Sequence, residues 1–196
     1  MEKNNNKKEN ILNSATTLFQ MKGYHATGLN EILKESNAPK GSLYYYFPEG
    51  KEQLALESIT LTRDYVEKLI KNRLDKTDDP IKAIQNSIIE MVDETYIKSN
   101  SIISFKSNKK ISINLIALET VFTNEKLREA CKETFNIWEK CYTQKLIDGG
   151  FESKKAKYLG SIIESMIEGA ILMSLTKKDD QPLLDIASII PKILND

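Results

Sequence analysis

Histidine and cysteine are nearly missing from this 196-residue chain: His25 stands alone, and the only thiols are Cys131 and Cys141. A Ser-His-Asp set would have to be built on that one imidazole, and one His with two Cys at unrelated spacing makes no zinc site. The cysteines lie ten residues apart on one expected helix, about 15 Å along its axis, which is too far for a disulfide. They read as small core or surface residues in a reducing compartment. Eight glycines and five prolines are few. No glycine-rich phosphate loop occurs, and no segment alternates apolar and polar residues as a half-buried strand does. The stretch Lys3 to Asn10 is polar, so a secretory apolar region is lacking there. The most apolar run, Ile162 to Leu175, is broken by Glu164 and Glu168 and is too short to cross a bilayer. Those two glutamates, four apart, could pair as acid and base, but such spacing more often marks a solvated edge or hydrogen-bonded core polar groups. Together these absences argue against an enzyme, a metal site, a cofactor and a membrane span, and for a cytoplasmic protein.

What is present is helical. Hydrophobic residues make up 40% of the chain and recur at helical spacing almost throughout, which sets an all-α expectation. Basic and acidic residues balance at 28 each. Residues 1–51 nevertheless hold seven lysines against five acids, so the N-terminal part is faintly basic and the remainder faintly acidic. That asymmetry has the right sign for a nucleic-acid-binding head and is too small to argue for one alone. A chain of this length accommodates a head of about 50 residues and a larger body with its own core.

The head is legible residue by residue. Asn10 to Met21 places Ile11, Leu12, Ala15, Leu18 and Phe19 on one stripe, with Gly23 set to end the helix as a left-handed cap. In a second short helix Leu29, Ile32 and Leu33 face inward, and Asn30, Glu31, Lys34 and Glu35 face outward. Ser36-Asn37-Ala38 turns the chain, and Pro39 opens a third helix where its missing N–H matters little. Two short helices joined by such a turn form a helix-turn-helix, whose second helix enters the major groove of DNA. Along that third helix Leu43 shares a face with Pro39, Tyr46 and Phe47. Gly41 and Tyr45 lie opposite, flanked by Ser42 and Tyr44, with Lys40 at the edge. One side is an apolar anchor. The other offers donors for phosphate and a glycine where backbone must come close. His25, in the turn after the first helix, reads as a solvated loop residue, with a DNA-backbone contact as the alternative.

Asn10 to Leu54 resembles the DNA-binding domain of TetR-family transcriptional regulators. The likeness rests on Ala15, Leu18, Phe19, Gly23-Tyr24, Thr27, Ile32, Lys40-Gly41, Leu43-Tyr44, Phe47, Lys51 and Leu54. It implies a homodimer on a pseudo-palindromic double-stranded operator. Lys40 and Gly41 would approach base edges, and Thr27, Ser42, Tyr44, Tyr45 and Lys51 would hold phosphates. Gly28 departs from the Ser or Thr that usually caps the second helix, Pro39 from a common Ser, and Tyr46 from a usual His. No side chain of the third helix is a strong bidentate base reader such as Arg, so DNA shape is expected to share in specificity. Ala117-Leu118-Glu119, Leu127 to Cys131 and Phe135 to Trp138 are similar to the ligand-binding half of the LmrA/YxaF-like branch.

The expected architecture is therefore a three-helix helix-turn-helix head over residues 1–50 and a helical ligand-binding and dimerisation body over 51–196, about nine helices in all. A long fourth helix, Lys51 to Leu74, links the two. Further helices are expected over Pro80–Lys98, Ser112–Phe122, Asn124–Asp148, Ser153–Thr176 and Pro182–Leu194, with a loop over Ser99–Lys110. The last two helices are apolar on more than one side and need extra cover. A second copy supplies it in a four-helix C₂ interface, the alternative being two interior helices of a monomer. On that reading a charge at Ile167 or Ile190 yields monomers. Tyr65, Phe135 and Trp138 are candidates to wall an effector cavity, with Asn114, Glu119 and Glu168 as its polar groups. Such a cavity suits a small, planar, partly hydrophobic aromatic. The expected function is a repressor released by that effector. A helical ligand-binding protein, or a DNA-binding dimer that needs no effector, stays open beside it.

Overall fold

The computed structural model describes residues 2–94 and 113–195. Among the described residues there are nine helices and no strand, and the chain is all-α. They are α1 (Glu2–Ala26), α2 (Leu29–Glu35), α3 (Lys40–Tyr46), α4 (Lys51–Leu74), α5 (Pro80–Glu94), α6 (Asn114–Thr120), α7 (Glu125–Asp148), α8 (Ser153–Lys177) and α9 (Gln181–Asn195). The expected loop over Ser99–Lys110, and the helix ends at Lys98 and Ser112, lie outside the described residues.

Two compact units emerge. One gathers the described parts of Met1–Asp64 and Ile111–Thr134, the other those of Tyr65–Lys110 and Phe135–Asp196. Compactness thus groups the first part of α4, all of α6 and the start of α7 with the three N-terminal helices. The reason is local: α6 packs along α1. In addition, Asn124 and Lys126 each donate to the Glu52 carboxylate at 2.7 Å.

In the first unit, Ile11, Ala15, Phe19, Ile32, Leu43, Phe47 and Leu54 have no exposed surface and form the core. α1 starts earlier than its apolar stripe and is interrupted at Gly23, whose φ of 82° is positive and whose ψ of 175° is extended rather than left-handed helical. Only glycine adopts that backbone without strain. A Cβ there would also stand 2.3 Å from the Glu119 carboxylate. α2 and α3 match the expected helix-turn-helix, with Asn37 in the positive-φ turn (49°) and Pro39 as the N-cap of α3.

In the second unit α5 packs against α9, and α9 against α8. Pro191 sits inside α9 and cannot donate to the Ala187 carbonyl. Gln85 of α5 supplies the missing donor at 2.9 Å. α7 and α8 approach closely at Gly160, where a Cβ would meet Thr143 Oγ1 at 2.1 Å. α8 is longer than its apolar run because Ser153–Ser161 extends it, and at 25 residues it is long and apolar enough to cross a membrane. Its buried residues Ala156, Leu159, Ile163, Ile167, Ala170 and Ser174 nevertheless form one stripe, the pattern of a core helix.

Ile167 and Ile190, expected at an interface, lie inside the protomer, Ile167 being 2% exposed and Ile190 fully buried. A charge at either would strike this unit's own core before any interface. The apolar surface that does face outward is Tyr158, Leu172, Met173 and Leu175 on α8 and Leu184 on α9. Ser161, Ser165 and Gly169 are exposed on α8 as well.

Candidate functional site

α3 is seven residues long, too short to persist by its own hydrogen bonds. Leu43 and Phe47, both fully buried, hold it against the core. That anchoring fixes what the other side presents. Tyr45 is 74% and Tyr44 45% exposed, Lys40 and Gly41 are exposed, and Ser42 is half-buried. Nothing lies within 4 Å of where a Gly41 Cβ would be, so the backbone there is open to an incoming surface. Tyr45 and Tyr46 meet edge to face with ring centres 4.9 Å apart. A rigid pair of phenols beside a bare backbone and a lysine can donate to phosphate oxygens and let a duplex approach closely. Between α2 and α3 lies a half-open hollow of about 280 Å³.

Two residues named with this surface are placed elsewhere. Thr27 is fully buried and its hydroxyl donates to the Gly23 carbonyl at 2.7 Å, so it closes the corner between α1 and α2 instead of facing outward. Lys51 folds back onto the end of α1, its Nζ donating to the His25 carbonyl at 3.3 Å and standing 4.6 Å from the centre of the Tyr24 ring. Burial lowers its pKa below the usual lysine value, against the opposing pull of Glu119. His25 is exposed but engaged: its backbone N–H donates to Glu119 Oε2 at 3.0 Å, and its ring Nε2 lies 3.4 Å from Thr123 Oγ1.

Glu119 is committed to the α1 corner, packed under Gly23 and bonded to His25. Asn114 and Glu119 belong to the first unit, whereas Tyr65, Phe135, Trp138 and Glu168 belong to the second. Within the second unit, Phe135 and Trp138 of α7 meet edge to face at 5.8 Å. Trp138 is buried, Phe135 and Glu168 are half-buried, and Tyr65 is 38% exposed.

Glu164 of α8, read from the sequence as one of two glutamates on a solvated edge or hydrogen-bonded in the core, is buried. It is 6% exposed and its Oε1 has no hydrogen-bond partner among the described residues. Tyr142 of α7 is fully buried with its hydroxyl equally unpartnered. Burial, and then the neighbouring Glu168 and Glu139, push the Glu164 carboxyl up to about 9. Tyr142 is raised chiefly by burial, with the Glu164 charge adding to it. Each unsatisfied buried group costs about 1–3 kcal/mol. A glutamate inside the apolar stripe of α8 was the available signal. Among the described residues no group of three His, Cys, Asp or Glu side chains is disposed to hold a metal ion.

A three-helix unit with its third helix anchored on one face and bare on the other defines a helix-turn-helix protein. The model for bacterial regulatory proteins of the tetR family matches residues 11–57. That for the LmrA/YxaF-like transcriptional regulator C-terminal domain matches residues 80–189. The chain is 47% identical over 187 residues to the HTH-type transcriptional regulator YxaF of Bacillus subtilis, covering 95% of this chain and 94% of that one. It is 42% identical to LmrA of the same organism, covering 95% and 96%. A 94-residue stretch is 34% identical to the biofilm-operon negative regulator IcaR of Staphylococcus aureus, 46% of this chain and 50% of that one. Reduced NemR of E. coli shares the fold, with a TM-score of 0.80 at 19% identity over 95% of this chain and 97% of that one. So does a TetR regulator from Chloroflexus aurantiacus, at 0.81 and 22% over 100% and 98%. The chain belongs to the tetR family of bacterial regulatory proteins, in its LmrA/YxaF-like branch, and is a DNA-binding transcriptional regulator.

Proposed function

We propose that this protein is a homodimeric repressor that places two copies of α3 in successive major grooves, about 34–36 Å apart, on a pseudo-palindromic operator. Residues 1–50 bind DNA, and 51–196 bind the effector and the second copy. Lys40 and Gly41 approach base edges, while Ser42, Tyr44 and Tyr45 hold phosphates and set the register. The observation that carries this is the two-sidedness of α3, with Leu43 fully buried and Tyr45 74% exposed. The name of IcaR, a negative regulator, favours repression. The outward apolar residues of α8 and α9 favour a second copy as their cover. The protein works in the cytoplasm, without catalysis or cofactor.

Release falls to a small, uncharged, partly hydrophobic aromatic bound in the body. Glu164 supports this reading, because a carboxyl held neutral can both donate and accept a hydrogen bond. The Tyr142 hydroxyl, which feels the Glu164 charge, can do the same. A ligand that bonds to both would satisfy two groups that are unpartnered among the described residues.

The test is a gel shift against the DNA flanking the protein's own gene. Wild type binds, with affinity falling steeply as salt rises because several phosphates are neutralised per dimer. Lys40→Ala and Tyr45→Ala each weaken binding about tenfold without a change in melting temperature. Undiminished affinity in both variants would remove α3 from the interface.

A further inference from the structure

Asn30 has no structural employment. It is the second residue of α2, where asparagine is a poor helix former. Asparagine near a helix start usually caps it, but the cap here is Gly28, with no side-chain hydrogen bond at all. The Asn30 side chain is exposed and makes no hydrogen bond among the described residues. Its neighbour Glu31 is by contrast engaged with Lys22. Asn30 also stands on the rim of the hollow between α2 and α3, together with Lys40 and Tyr44, above a floor of the half-buried Leu29 and Leu33. A free carboxamide above an apolar floor, beside the helix that faces outward, matches the chemistry of one kind of base sequence.

We propose that this hollow reads adenine and thymine in the operator. The Asn30 carboxamide pairs with adenine in bidentate fashion, Oδ1 accepting from the N6 amino group and Nδ2 donating to N7. The leucine floor takes the 5-methyl group of a thymine beside it. Lys40 and Tyr44 on the rim keep their contacts to the backbone and neighbouring bases. Specificity is thus not left to shape alone: the bidentate reader missing from α3 is supplied by α2. The inference rests on the reading of α3 as a major-groove helix.

Selection of duplexes from a random library by full-length wild type and by Asn30→Ala separates the two. Wild type enriches a half-site with a fixed adenine next to a thymine. Asn30→Ala keeps the wild-type melting temperature and still enriches duplexes, but loses preference at that adenine and binds the wild-type site tenfold or more weakly. Replacing that adenine by 7-deazaadenine weakens wild type similarly and leaves Asn30→Ala unaffected, because the partner is already gone. Replacing the thymine by uracil weakens both proteins. Unchanged base preference in Asn30→Ala overturns the assignment of Asn30, and indifference of both proteins to uracil overturns that of the floor. Failure of wild type to enrich any duplex overturns the DNA reading beneath both.

Discussion

Glu164 is a buried carboxyl with one oxygen unpartnered among the described residues. Its carboxyl is raised from the usual 4.5 to about 9 by burial and by Glu168 and Glu139. Below about 4.5 it is protonated folded and unfolded alike. As pH rises the unfolded chain gives up the proton and the folded one holds it until about 9. The stabilising contribution is therefore complete below the lower value, declines between the two, and is gone above the upper one. Glu164→Gln abolishes this slope: in urea titrations the variant is close to wild type near pH 5 and exceeds it by about 4–5 kcal/mol at pH 8, at about 1.4 kcal/mol per pH unit. Parallel pH profiles for the two proteins would mean that the carboxyl is not held neutral. The buried thiols behave differently, since burial alone pushes Cys131 up to about 12 and, as the largest influence, Cys141 up to about 11, which leaves both inert. Thr27 and Lys51 teach the converse lesson. Their residue types suit phosphate, yet the Gly23 and His25 carbonyls were nearer partners.

Among the helices, the boundaries that carried local chemistry were readable. α4 runs from Lys51 to Leu74 as its pattern requires, and Asn124 caps α7 through a bond from the Leu127 amide at 3.0 Å. Less readable was anything that depends on what lies across a contact. Pro191 in α9 would ordinarily end a helix, but Gln85 satisfies the orphaned Ala187 carbonyl. Gly160 looks like an interruption of α8 until Thr143 is seen against it. Gly160→Ala would force α7 and α8 apart, because the obstructing atoms include the Thr143 backbone as well as its hydroxyl. The expected loss is about 1–3 kcal/mol by thermal or chemical unfolding. Gly169→Ala, with open space around it, serves as the control and is neutral or mildly stabilising in the isolated protomer.

For the whole molecule, the decisive quantity is the apolar surface left outside. Leu172 is 50% and Leu184 38% exposed, on the two helices expected to pair with a second copy. Leu172→Glu and Leu184→Lys should each shift the protein from dimer to monomer in analytical ultracentrifugation while leaving the helical signal intact. Tight operator binding would go with the dimer, since two half-sites multiply affinity only when both heads are linked. A dimer that persists in both variants would place the interface elsewhere. These positions replace Ile167 and Ile190, whose burial within the protomer makes them probes of folding instead.

By itself the sequence determined the helical class, the helix-turn-helix and the anchored face of α3. Each of these follows from periodicity, turn residues and side-chain size along a short stretch of chain. Only the tertiary structure decided which polar groups were already engaged. Thr27, Lys51 and Glu119 have the chemistry to bind and are already bound, whereas Glu164, Tyr142 and Asn30 are unpartnered among the described residues. The physical reason is that periodicity assigns a side chain to a face. Whether a hydrogen-bonding group on that face is satisfied depends on atoms tens of residues away, as Glu119 and His25 show.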